Sequence, residues 1–110
     1  MRHTKRCAAL GCALALFGAG TAAHGEEMFA PAQVSRGAAL YAQNCSPCHG
    51  ARMLDPNSAF DIRTFPPDQK NRFINSVTKG KNAMPPWGDL FKAEEIDALW
   101  AYVMAGEKQR

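Results

Sequence analysis

The chain is 110 residues long, with 13 Lys+Arg against 10 Asp+Glu, four cysteines and a formal charge of +3. Three of the basic residues, Arg2, Lys5 and Arg6, fall in an amino-terminal leader. Without them ten basic residues face ten acidic ones, a balance that gives no charge argument for nucleic acid or a membrane surface as partner. The roughly 87 residues beyond the leader suffice for one small domain, and a domain of that size usually needs help to be stable.

In chain order, Met1 to Arg6 form a basic segment, Cys7 to Ala19 an apolar one, and Thr21-Ala22-Ala23 supply small residues for cleavage. This is the pattern of a secretory signal peptide over residues 1–23, cut after Ala23 or, as second choice, after Gly25. It predicts a periplasmic protein. Membrane contact would follow only from an uncleaved leader, whose Gly and Thr content makes a poor span. Cys12 sits behind too short an apolar run to be a good lipidation site. Loss of the leader removes Cys7 and Cys12 and leaves two cysteines. Residues 24–33 read as a flexible leader into the domain, 34–106 as the domain and 107–110 as a tail.

The first helix is predicted over Val34–Gln43, with Val34, Ala38 and Tyr41 at helical spacing and Gly37 inside it. Glycine there costs about 1 kcal/mol relative to alanine, so a close helix crossing would explain it, against simple tolerance. Next comes Cys45-Ser46-Pro47-Cys48-His49. Two thiols three residues apart with a histidine directly after form the C-x-x-C-H signature of covalent haem attachment. Each thiol adds to one vinyl group, and His49 lies where its imidazole can reach the iron. A dithiol site would call for a surrounding βαβ pattern, which is missing, and a zinc site for four ligands, which the chain does not supply. With both remaining cysteines used by haem, no disulfide and no free thiol are expected.

A second helix follows Pro66-Pro67, which suit a first turn; it carries Phe73, Ile74 and Val77 and stops at Gly80. The third runs from Ala93 to Ala105 and ends at Gly106, with Glu94 and Glu95 favouring its positive end and Ile96, Leu99, Trp100, Val103 and Met104 giving a wide apolar face. No β-strand pattern appears, so the fold class is all-α, short helices packed around one haem.

With these elements in this order, the chain resembles a small bacterial class I cytochrome c over about Val34 to Ala105. The resemblance is carried by the first helix with Gly37 and Tyr41, by Cys45-Ser46-Pro47-Cys48-His49-Gly50, by Ala83-Met84-Pro85-Pro86, and by a last helix with Leu99 and Tyr102. It implies that Gly37 lies at a crossing against Leu99 and Tyr102. It also implies that a carbonyl after the haem motif, with Pro56 the candidate, accepts from His49. Where the family often begins its last helix with a Ser or Thr cap, this chain has Phe91-Lys92, so the cap is missing or comes from Asp89.

Met84 is the expected second axial ligand of the iron, since Met/His ligation suits an electron carrier. The other methionines serve less well: Met1 goes with the leader, Met28 is in the flexible segment, Met53 is too near His49, and Met104 reads as core. His24 is the nitrogen alternative, on a segment with no reason to be ordered. Arg63 and Trp87 are candidate donors to the haem propionates, against a solvated arginine and plain packing. Trp100 reads as core.

These residues point to a monomeric, monohaem carrier that cycles between Fe(III) and Fe(II) with redox proteins as partners, and not to an enzyme, since no catalytic set is present. Two other readings stay open. One is a five-coordinate sensor or peroxidase. The other is a subunit dedicated to a quinoprotein dehydrogenase, suggested by the stretch Phe60-Asp61-Ile62-Arg63-Thr64-Phe65-Pro66. The resemblance implies that Lys79 and Lys81, with Arg36 and Arg52 on the same side, lie near the haem edge and would make it basic, with Glu94, Glu95 and Asp97 away from it, against two merely solvated turn lysines.

Overall fold

A computed structural model describes residues 29–56 and 58–109, with the isolated positions 13, 15 and 18. The predicted signal peptide (apart from those three positions) and residues 24–28, with His24 and Met28, lie outside the described residues. Four α-helices follow in order: α1 (Pro31–Asn44), α2 (Ser46–His49), α3 (Lys70–Lys79) and α4 (Ala93–Ala105). Short 3-10 turns occupy Ala51–Met53, Ile62–Thr64 and Gly106–Gln109. Among the described residues no strand forms; a single antiparallel bridge pairs Lys81 with Met84. No described helix is long and apolar enough to cross a membrane.

Helix α1 begins three residues before its predicted start. Pro31 occupies the first turn, where its fixed φ suits a helix and its missing N–H is not needed. Residues 31–33, assigned from sequence to a flexible leader, are therefore helical. The opposite error occurs at α3. Pro66 and Pro67 do not open it; they form a turn closed by Gln69 N–H on the Pro66 carbonyl at 3.1 Å, and the helix starts at Lys70. A proline disfavours the helical region for the residue before it, so Pro67 holds Pro66 out of the helix.

The core is the crossing of α1 and α4. Val34, Tyr41, Leu99 and Tyr102 are at most 2% exposed, and each such side chain contributes roughly 1.5–3 kcal/mol by leaving water. A Cβ on Gly37 would stand 1.9 Å from the Ala98 carbonyl oxygen and 2.9 Å from Tyr102 Cβ. The crossing is thus where the resemblance implies, but Ala98 takes the place expected of Leu99. Trp100 is core as predicted, meeting the ring of Phe73 at 5.2 Å and the edge of Phe65 at 6.0 Å. Met104 is only partly buried at the margin of this cluster.

Helix α4 runs over the predicted residues. Its cap does not come from Asp89: the Glu95 carboxylate accepts from the Lys92 N–H at 2.9 Å, one half of a capping box. The supposed tail is also tied down, since Glu107 pairs with Arg52 at 3.3 Å.

Candidate functional site

The motif Cys45 to His49 is wound onto the end of α1. Cys45 N–H reaches the Tyr41 carbonyl at 2.8 Å, Ser46 Oγ the Ala42 carbonyl at 2.6 Å, and His49 N–H the Cys45 carbonyl at 2.9 Å. One short turn therefore carries both sulfurs and the imidazole. Gly50 ends it at φ +85°, and a Cβ there would meet the Leu54 carbonyl oxygen at 1.6 Å, so only glycine lets the chain leave. Tyr41 Oη donates to the Gly50 carbonyl at 2.6 Å and ties that exit to the core. Burial, with the nearby Cys45 sulfur second, pushes the Tyr41 hydroxyl up to about 12.

His49 Nδ1 lies 3.1 Å from the Phe60 carbonyl. A carbonyl only accepts, so Nδ1 carries the proton and Nε2 keeps a lone pair for a metal. Burial, and then the neighbouring Cys48, pushes the Cys45 thiol up to about 11. A redox-active C-x-x-C needs the reverse, a thiol stabilised as thiolate near neutral pH. Among the described residues no three His, Cys, Asp or Glu side chains gather into a metal site. A buried thiol held protonated at Cys45 does not suit thiol–disulfide exchange, whereas two sulfurs on one turn beside an imidazole with one free nitrogen suit haem.

Met84 is held by a different device. Gly80 closes α3 at φ +80°, and Lys81 and Met84 exchange two backbone hydrogen bonds of 3.0 and 2.9 Å around Asn82, itself at φ +54°. Pro85 and Pro86 follow. Trp87 N–H then returns to the Val77 carbonyl at 2.8 Å, fastening the loop to α3. The thioether is thus carried on a closed, stiff turn and is partly buried.

The family model for subunit III of cbb3-type cytochrome c oxidase matches residues 32–103. The chain belongs to this cytochrome c family. A cytochrome c6 of Microcystis aeruginosa is 32% identical over 74 residues, 63% of this chain and 91% of its own length. One from Aphanizomenon flos-aquae is 37% identical over 75 residues, 62% of this chain and 84% of its own. Quinohemoprotein alcohol dehydrogenase ADH IIB of Pseudomonas putida is 35% identical over 81 residues, 71% of this chain but 12% of that enzyme. No solved structure matches the chain significantly. The protein is a small class I monohaem cytochrome c with covalently bound haem c, an electron carrier with redox proteins as partners.

The cytochrome places its other predicted site residues unevenly. Pro56 is not the acceptor for His49: its carbonyl is taken by Ala59 N–H at 2.9 Å, and the loop reaches His49 four residues later through Phe60. Arg63 lies on that same segment, but Nε and Nη2 of its guanidinium donate to Asp61 at 2.9 and 2.8 Å. Trp87 stacks on Phe91 at 5.4 Å and 14°. Arg36 is paired with Glu95 at 3.3 Å, so it belongs to the α1–α4 seam and Glu95 is not set apart from the basic residues. Arg52 is drawn to Glu107. The hydrogen bond from Tyr41 and the role of Phe60 were missed. An aromatic at a helical core position gives no sign that its hydroxyl is used, and a backbone acceptor has no side-chain signature.

Proposed function

We propose that Cys45 and Cys48 would hold the haem through thioethers, that His49 Nε2 and the Met84 sulfur would be the iron's ligands, and that the protein works in the periplasm after its leader is cleaved. The observation that carries this is the His49–Phe60 hydrogen bond, which leaves one ring nitrogen for the metal. Bound there, the haem supplies a one-electron couple. The chain's part is to keep that couple inert to everything but electrons. The Phe60 carbonyl orients the imidazole, the Lys81–Met84 turn carries the thioether on a closed backbone loop, and Phe60, 54% exposed beside His49, gives apolar surface for the ring. Trp87 is the better candidate for a propionate donor. Arg63 can serve only through the part of its guanidinium that Asp61 does not hold.

With His49 and Met84 both bound to the iron, the oxidised protein would be low-spin with a weak sulfur-to-iron charge-transfer band, and the reduced protein would bind carbon monoxide poorly. Met84→Ala abolishes the band, gives a high-spin iron and admits carbon monoxide. A wild type that binds carbon monoxide fast and completely would replace the carrier with the sensor or peroxidase reading. A second reading, a carrier dedicated to a separate dehydrogenase, draws on the Pseudomonas putida relatives, in which the matching region is a small part of a quinohemoprotein.

A further inference from the structure

The carbonyl that orients His49 belongs to the peptide plane between Phe60 and Asp61. Rotation about the Asp61 φ angle swings that plane, so whatever fixes Asp61 fixes the hydrogen bond. The structure holds Asp61 unusually firmly for a residue in an exposed loop. It is the N-cap of the turn Ile62–Thr64, with φ −74° and ψ 98°. One carboxylate oxygen accepts from the Arg63 backbone N–H at 3.1 Å and from Arg63 Nε at 2.9 Å, and the other from Nη2 at 2.8 Å. Its own carbonyl accepts from Thr64 Oγ1 at 2.8 Å and from the Thr64 N–H at 3.1 Å. Beyond the turn, Phe65 meets Phe73 at 5.7 Å and Trp100 at 6.0 Å, edge-on to both, which roots the segment in the core.

We infer that Asp61 is a positioning residue for the electron-transfer centre: its cap holds the Phe60 carbonyl against His49 Nδ1–H and thereby sets how strongly the imidazole donates to the iron. The inference rests on ligation by His49 as proposed above. A ring N–H bonded to a carbonyl makes the opposite nitrogen more basic, which favours the oxidised ion. Slackening the bond therefore raises the reduction potential. The Arg63 partner has a use here that does not involve haem. Its hydrogen bonds keep the carboxylate below its ordinary pKa, so the cap stays charged further into acid than a free aspartate would.

Removing Asp61 also removes a negative charge near the iron, and that too raises the potential, so the test must separate the two. Asp61→Asn and Asp61→Ser lose the charge but keep an oxygen for the Arg63 N–H; Asp61→Ala loses both. On purified holoproteins, the His49 ring N–H proton is followed by NMR for solvent exchange, and the potential is measured from low to high salt. Positioning predicts exchange within about twofold of wild type for Asn and Ser, and at least tenfold faster for Ala. It predicts a rise in potential common to all three that shrinks with salt, and an additional rise in Ala that does not. Equal exchange and equal potential in Ala and Asn at every salt would overturn it. Should the Ala protein not fold, Thr64→Val removes the second anchor; it is expected to speed ring N–H exchange, and an unchanged rate would overturn the inference. A wild-type ring proton without the paramagnetic displacement of an iron ligand would overturn the ligation reading, and this inference with it.

Discussion

Replacing Gly37 by alanine sets two effects of opposite sign against each other. Alanine is favoured over glycine in a helix interior by about 0.8–1.0 kcal/mol, and Gly37 is well inside α1. Against this, the new Cβ would stand 1.9 Å from the Ala98 carbonyl oxygen and 2.6 Å from its carbon, backbone atoms of α4 that no rotamer change can move. Ordinary contact between such atoms is at about 3.4 Å, so the helices must part by about 1.5 Å along that line. Val34, Tyr41, Leu99 and Tyr102, now nearly free of solvent, would lose contact together. Overpacking typically costs about 1–3 kcal/mol, and a rigid backbone obstacle places this case at or above the top of that range. Net destabilisation is therefore about 2 kcal/mol or more. Urea unfolding of the holoprotein, followed by helical circular dichroism, measures it as a lower midpoint at similar slope. A variant as stable as wild type would refute the crossing argument and leave glycine as merely tolerated.

Tyr41→Phe removes the bond to the Gly50 carbonyl, which keeps its second partner, Met53 N–H at 3.1 Å, so the loss near pH 8 is about 0.5–1.5 kcal/mol. Because the folded-state pKa is raised to about 12, the wild type holds this contribution below the unfolded value near 10 and loses it as pH rises through 12. The stability gap between the two proteins should close over that window, by on the order of 1–2 kcal/mol once the part due to the Cys45 charge is lost to thioether formation; a gap constant to pH 12 would refute the assignment. Lys79 and Lys81 flank Gly80 beside the Met84 turn, are exposed, and form no ion pair among the described residues, unlike Arg36, Arg52, Arg63 and Lys70. Changing both to Glu should slow electron transfer with an acidic partner several-fold at low salt, with the difference narrowing as salt rises; an unchanged rate and salt slope would leave them as solvated turn residues.

What could be read from the sequence was what side chains announce locally. Helix α4 was legible to its ends because Glu94 and Glu95 mark one and Gly106 the other. Gly37 showed itself as an anomaly in an otherwise good helix. The start of α3 was misjudged because two adjacent prolines suit a turn as well as a first helical turn, and the choice depends on the chain around them. Phe60 was invisible because the atom that matters is a carbonyl every residue has. The Arg36–Glu95 pair joins residues 59 positions apart, a distance over which charge patterns on separate helices do not reveal their alignment.

The α1–α4 crossing also bears on the order in which the protein is made. Gly37 and Tyr102 are 65 positions apart, and bringing such ends together costs roughly 4 kcal/mol of chain entropy before any contact repays it. Residues 45–49, in contrast, are wound by hydrogen bonds reaching back no more than four positions. During synthesis from the amino terminus, the thiols and the imidazole can be presented together long before α4 exists to complete the core. A nascent chain stopped short of Ala93 would thus hold every atom for attaching the cofactor and lack the helix against which α1 is buried.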